Sequence, residues 1–245
     1  MEKLYASYRV WSAKKFSSKD GVIVGSDQTQ EWIFPWWWDH YRRFNSHPVA
    51  FIDFGLTPAM REWCQARGTL IRLLVADIFV AREPKYGDYC LECRNAWFKK
   101  PLACLLSPFE RSIWIDLDCE IRCSLNPLFA FCEHPSGFSI ALENAVPKPH
   151  LYNSGVFIFK HGIPLIEQWA DAAFECNHAF RGDQDILSDL IRKQRLQIRE
   201  LDPSYNWSRC NKPLSDAKIL HWHDRGGKTV IWHQLMRANL DVLRW

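Results

Sequence analysis

Short apolar runs alternate with longer amphipathic stretches along most of this chain. Gly21–Ser26 (GVIVGS), Val49–Phe54 (VAFIDF) and Leu70–Val75 predict buried strands, and Pro58–Ala66, with proline in its first turn, predicts a helix between the last two. A polar turn, Ala81–Asp88, precedes a helix expected over Arg94–Leu106, which carries Lys99 and Lys100. The pattern then gives strands at Phe138–Glu143 and Leu151–Lys160, a helix over His161–Cys176, and an amphipathic helix opening at Asp183. Alternating strands and helices, without an internal repeat, predict an α/β fold with a mainly parallel sheet flanked by helices.

The stretch Arg111–Cys123 (RSIWIDLDCEIRC) organises the rest. Ile113, Trp114 and Ile115 read as a buried strand that stops abruptly at Asp116, Leu117 and Asp118. On an extended chain the two carboxylates share one face, where they repel unless a cation lies between them. A hard divalent ion, Mg²⁺ or Mn²⁺, suits two carboxylates and retains coordination sites for a ligand's phosphates. The same Asp-x-Asp also fits a solvated strand end.

Composition narrows the class. The chain has 245 residues, enough for one large α/β domain, and it is expected to be a single domain over residues 1–245. No run of about 18 apolar residues spans a bilayer, and the N-terminal MEKLYASYRVWSAKK lacks the apolar core of a secretory signal, so a cytoplasmic location is expected. The net charge of +3 is too small to imply a nucleic-acid partner; it suits an anionic ligand or a peripheral contact with the inner face of a membrane. Nine cysteines at irregular spacing argue against a disulfide framework. Cys90 and Cys93, with Cys119 and Cys123, leave open a four-thiolate zinc module, and with it a non-catalytic scaffold.

Further polar clusters punctuate the apolar pattern. Asp27 follows the first strand, where open α/β sheets bind ligands, although it also fits a helix cap. Only Gly25 stands near that loop, a poor match to the glycine-rich cradle of a nucleotidyltransferase. Asn153, Ser154 and Gly155 enter a strand where small residues admit a close ligand. Asp183 and Asp185 fit ordinary helix-start acids, while Gln184 has no such explanation. In Ile219–Lys228 (ILHWHDRGGK) one of His221 and His223 is expected to face a metal, with the glycines and lysine suited to phosphate. The aromatic segments Trp32–Trp38 and Tyr205–Trp207 divide between core and a sugar-stacking surface.

In order and separation, IWIDLDCEIRCSLNPLF, LYNSGVFIF, GDQDIL and ILHWHDRGGK resemble the retaining nucleotide-sugar glycosyltransferases of family 8, which include glycogenin and bacterial lipopolysaccharide galactosyl- and glucosyltransferases. The resemblance covers roughly residues 21–228. It implies a GT-A domain that moves a hexose from a nucleoside diphosphate sugar, UDP-linked, to a hydroxyl of a glycan, lipid-linked glycan or protein acceptor, with retention and with Mn²⁺ or Mg²⁺. Under it, Asp116, Asp118 and His221 correspond to the metal ligands, and Asp183 and Gln184 to the pair at the reacting sugar. Asn153 corresponds to a donor-sugar or acceptor contact, Lys99 to a basic donor contact, Asp27 to the acid beside the uracil, and Gly226 and Lys228 to the diphosphate site. The last motif is one residue longer than the family pattern, and the first strand lacks the usual Ala-x-Asp.

Overall fold

The computed structural model describes residues 16–73, 91–143 and 151–238. β1 (Ser18–Ser26) leads through a single 3-10 turn into α1 (Phe34–Phe44), followed by β2 (Val49–Asp53), α2 (Pro58–Gln65), β3 (Thr69–Arg72) and α3 (Leu91–Leu105). The central strand is β4 (Phe109–Ile115), and β5 (Cys119–Ile121) follows it directly; a 3-10 segment then leads to β6 (Phe138–Leu142) and β7 (Tyr152–Lys160). After α4 (Pro164–Glu175) and α5 (Asp183–Lys193) come β8 (Arg199–Glu200), β9 (Trp207–Ser208), β10 (Ile219–His221) and α6 (Asp224–Arg237). The expected turn Ala81–Asp88 and the prolines Pro147 and Pro149 lie outside the described residues, as does Cys90.

Seven strands form one mixed, mostly parallel sheet in the order β3-β2-β1-β4-β7-β6-β8. Strands β3, β2, β1 and β4 run parallel, and β7 inverts against β4 with Ile115 opposite Val156. The order reverses between β1 and β4, so the crevice beyond their C-terminal ends is the topological switch point where such sheets take ligands. Asp116 and Asp118 stand at that edge.

Apolar residues alternate across the sheet. Val22, Val24, Ile113 and Ile115 face a core built with Phe34, Trp36, Trp37 and Tyr41 of α1, Trp63 of α2 and Ile231 of α6. On the other face Ile23, Ile52, Trp114 and Phe157 pack on Phe98 of α3, Trp169 of α4 and Leu187 of α5. Burial on both faces is why these strands read as near-continuous apolar runs. Trp36 and Trp37 are therefore core, while Trp32 and Trp38 are half-buried, Trp32 against Trp232 at 5.5 Å.

A second, three-stranded sheet, β5-β10-β9, stands beside the switch point. Cys119 and His221 are directly opposed in its antiparallel pair, which carries the last motif to the end of the Asp-x-Asp strand. Among the described residues no helix is long and apolar enough to cross a membrane.

Candidate active site

Backbone hydrogen bonds fix the turn after β4. The Asp116 N–H donates to the Gly155 carbonyl at 2.7 Å, the Cys119 N–H to the Asp116 carbonyl at 3.0 Å, and the Trp222 N–H to the Asp118 carbonyl at 2.9 Å. The Asp-x-Asp turn is thereby pinned between β7 and β10, and its two carboxylates go to different cations. Asp118 accepts from Lys228 Nζ at 3.0 Å and lies 3.2 Å from His221 Nε2. Asp116 pairs with Lys100 Nζ at 3.0 Å and accepts from the Trp114 indole N–H at 2.7 Å.

The charges hold one another in place. Burial works to raise the Asp118 pKa, but Lys228 and His221 outweigh it and keep the acid well below the usual carboxylate range. Burial likewise opposes the His221 and Lys100 charges; Asp118 lifts the imidazole above its ordinary value, and Asp116 with Asp183 does so for the ammonium.

His221 faces Asp118, whereas His223 turns to the Ser208 hydroxyl at 2.6 Å, and burial beside His221 lowers its pKa. Gly155 makes room for the His221 ring: a Cβ there would lie 2.3 Å from His221 Cε1. Asp118, Cys119 and His221 bring their ligand atoms within 4.8 Å of one another, a geometry that admits a metal ion. Asp116 stands outside that trio, on Lys100. Burial holds the Cys119 thiol well above its normal pKa, and Cys93 and Cys123 do not join the trio.

Asp183, the first residue of α5, caps nothing. Asp185 takes the capping role, accepting the Gly182 N–H at 2.9 Å, which frees Asp183 to accept from the Ser154 hydroxyl at 2.8 Å and to approach Lys100 at 3.5 Å. Burial raises the Asp183 pKa, with Lys100 offsetting part of the rise. Buried Arg94 of α3 ties down the preceding loop by donating to the carbonyls of Asn177, Phe180 and Arg181 at 2.7–2.9 Å. Gln184 beside it is half-buried, and its side-chain amide makes no hydrogen bond among the described residues.

The lysine that enters this group is Lys100. Lys99 Nζ instead lies 3.4 Å from the Phe54 carbonyl, because consecutive helical residues diverge by about 100°. Asp27 accepts from the Thr29 N–H at 2.9 Å, an Asx turn at the end of β1. Asn153 is engaged throughout: its Nδ2 donates to Glu143 at 2.8 Å, and its Oδ1 accepts from the Gly155 N–H at 2.9 Å and from Asn206 at 3.0 Å. The Gly226 and Gly227 N–H groups donate to Asp224 Oδ1 at 2.7 and 3.2 Å, and Arg209 holds that carboxylate. A Cβ on Gly227 would meet the Trp222 carbonyl oxygen at 1.9 Å, so close packing demands this glycine. Tyr205 packs against the core beneath Lys218, whose Nζ is 4.4 Å from its ring centre. Asn206 and Glu143 are the site residues that sequence reasoning did not single out, while Ser154 was read as part of a ligand entrance and Lys100 only as one of a lysine pair with Lys99.

No family model and no curated protein matches this sequence. Solved structures do. The apo form of the glycosyltransferase GlyE of Streptococcus pneumoniae TIGR4 superposes over 90% of the chain with TM-score 0.62 at 16% identity. Galactosyltransferase LgtC in complex with donor and acceptor sugar analogs matches over 87% of this chain and 95% of its own, with TM-score 0.56 and 13% identity. The fold is that of the GT-A glycosyltransferases. Mouse xyloside xylosyltransferase 1 shares it, with TM-score 0.55 and 16% identity over 83% of this chain and 97% of its own. The chain spans 64% of the length of the GlyE structure, just under two thirds.

Proposed function

We propose that this chain, as one GT-A domain over residues 1–245, transfers a hexose from a nucleoside diphosphate sugar, UDP-linked, to a hydroxyl acceptor with retention of configuration. The observation that carries the reading is the convergence of Asp118, His221, Lys228, Asp116, Lys100 and Asp183 at the switch point of a GT-A sheet. These residues come from three motifs and helix α3, spread over more than a hundred positions, and ordinary strand ends do not assemble them.

The donor set fits a divalent ion: a carboxylate and an imidazole converge, with a buried thiol beside them. Asp118 and His221 would hold Mn²⁺ or Mg²⁺, and Asp116, which Lys100 holds outside that group, would have to leave the lysine to join them. When bound, the ion supplies positive charge against the diphosphate as it departs. The chain's own residues do the rest. Lys228, a half-turn from the glycines, provides a second charge for phosphate oxygens. Lys100 and Ser154 hold Asp183 facing the crevice, and Gln184 presents an uncommitted amide at its rim. Among the described residues the nucleophile nearest the crevice, the Asp183 carboxylate, is tied to Ser154 and Lys100, which favours front-face attack by the acceptor through an oxocarbenium-like state. The acceptor class spans glycans, lipid-linked glycans and proteins, and a cytoplasmic setting, with or without peripheral contact at a membrane, suits a soluble nucleotide donor.

The test is a donor screen. UDP or another nucleoside diphosphate released from each nucleotide sugar with Mn²⁺ is scored against Asp118→Asn prepared alongside. Release from one or a few UDP-hexoses, abolished in the folded Asp118→Asn protein, is expected. Full release by that variant overturns the metal site, and no release from any donor overturns the transferase reading.

A further inference from the structure

A tryptophan beside Asp183 belongs to neither core. Trp97 stands on α3 three residues before Lys100, so the two side chains lie about 60° apart around the helix and about 4.5 Å apart along it. Lys100 reaches Asp116 and Asp183, which turns this side of α3 towards the crevice. Arg94, three residues before Trp97, holds the loop over residues 177–181. Between these two, Trp97 meets the end of that loop. A Cβ on Gly182 would lie 3.4 Å from Trp97 Cε3 and 3.8 Å from Cζ3, so the indole lies against the residue that precedes Asp183 and Gln184. Among the described residues Trp97 packs against neither core cluster, and its ring and N–H have no aromatic, cationic or hydrogen-bond partner. Trp32, Trp38, Tyr205 and Trp222 are half-buried as well, but they pack on the core.

Depth divides the crevice here into a floor and a rim. The Lys100 and Asp183 side chains are 6% and 5% exposed and form the floor, whereas Gln184 and Trp97 are half-buried above them. A donor hexose that reaches Asp183 fills the floor, where carboxylate, ammonium and the Ser154 hydroxyl meet its hydroxyl groups. The molecule that arrives from solvent to attack it crosses the rim. An indole offers a rigid apolar face with one polar N–H at its edge, which matches a pyranose ring, whose C–H face is apolar and whose hydroxyls accept hydrogen bonds. We propose that Trp97 is the acceptor platform of this crevice, a specificity residue on which a hexopyranoside stacks, so that the acceptor is a saccharide rather than a protein side chain. The proposal rests on the transferase reading for the role of the bound sugar, while the stacking itself needs neither donor nor metal.

The experiment uses the full chain, with and without UDP and Mn²⁺, and a panel of methyl α- and β-hexopyranosides as probes. Saturation-transfer NMR with irradiation of the aromatic protons reads which sugar C–H protons lie against a ring, and titration of the same signal gives the affinity. At least one glycoside is expected to take up saturation along one ring face, and Trp97→Ala should weaken its binding about 5- to 30-fold. Trp97→Phe keeps an aromatic face and should stay close to the parent. Trp97→Leu keeps apolar bulk without that face and should resemble Trp97→Ala. UDP affinity by calorimetry should be the same in all four proteins, and so should the melting temperature, because Trp97 packs against neither core. The proposal is overturned by a parent that contacts no glycoside, by unchanged glycoside affinity in Trp97→Ala, or by Trp97→Leu binding as well as Trp97→Phe. Lost UDP affinity also overturns it, since Trp97 would then belong to the donor pocket. Glycosides that stack on Trp97 in a chain that releases UDP from no sugar donor keep the platform and remove the transferase reading. Transfer to a hydroxyl acceptor that proceeds unchanged in Trp97→Ala does the reverse.

Discussion

Replacing Lys100 by methionine removes an ammonium that lies 3.0 Å from Asp116 and 3.5 Å from Asp183, in a side chain only 6% exposed. At an effective dielectric constant of about 20, unit charges at such separations attract by roughly 5 kcal/mol each. Desolvation of the ammonium takes back several kcal/mol of that. In the variant the balance is worse, since buried Asp183 keeps its own desolvation cost with no cation beside it. Removing one member of a buried pair costs about 3–5 kcal/mol, and in a chain of this size each kcal/mol moves the melting point by about 2–4 °C. Lys100→Met is therefore expected to melt roughly 6–20 °C below the parent at neutral pH. The pH dependence has a definite sign. Burial already raises the Asp183 pKa, and loss of Lys100 raises it further. A carboxyl whose folded pKa exceeds its unfolded value costs stability as pH rises between the two, so the deficit narrows as pH falls towards about 4. Adding Asp183→Asn removes the stranded acid and should restore part of the loss. Urea unfolding of the parent, Lys100→Met and the double variant across this pH range measures all three. A deficit below about 1 kcal/mol at neutral pH, the worth of a solvated ion pair, or one that does not change with pH, refutes the reasoning.

Gly155→Ala places a methyl 2.3 Å from His221 Cε1 and must push the ring off its Asp118 contact; calorimetry should show Mn²⁺-dependent UDP binding weakened at least about tenfold, and unchanged affinity would contradict the fit. Gln184→Ala is expected to bind the donor as the parent does while turning over about 100- to 1,000-fold more slowly, the mark of a group that acts in the transition state. Lost donor binding would move Gln184 into the donor pocket. Asp53 tests the fold apart from the site: burial works to raise its pKa, but Arg61 at 2.7 Å and the Leu56 and Gly55 amides outweigh it and hold it low. Stability from a depressed carboxylate is present above its unfolded pKa, about 3.9, and is lost as pH falls through the folded value. Asp53→Asn should thus cost about 1.5–3 kcal/mol at neutral pH, by chemical unfolding, with the deficit narrowing as pH falls below the unfolded value; a deficit independent of pH would dismiss the ion pair.

How much of this was legible follows from where each signal resides. β1, β2, β4 and β7 read clearly because burial on both faces gives unbroken apolar runs with sharp polar ends, and the Asp-x-Asp and His-bearing motifs lie at such ends. The sheet β5-β10-β9 was not legible. Its strands have two or three residues, too few for any periodicity, and they form through pairing between Cys119 and His221, about a hundred positions apart. Lys99 and Lys100 were indistinguishable for a related reason: Phe98 to Cys104 are all buried, so this turn of α3 shows no polar face from which to read its phase.

The acids at the start of α5 show how local signals mislead. Asp183 and Asp185 both fit a helix start, and propensity cannot say which one caps. The fold decides, because Gly182 donates to Asp185 and leaves Asp183 to be held by Ser154 and Lys100. Asn206 is the extreme case. In sequence it is one polar residue between two aromatics; its meaning comes from Asn153, 53 positions before it, and His221, 15 after. Groups that touch a ligand recur in recognisable types, since the ligand's chemistry selects carboxylate, imidazole and ammonium. Groups that orient them need only a donor and an acceptor at the right places, which many residue types can supply, so their positions become visible when the chain is folded.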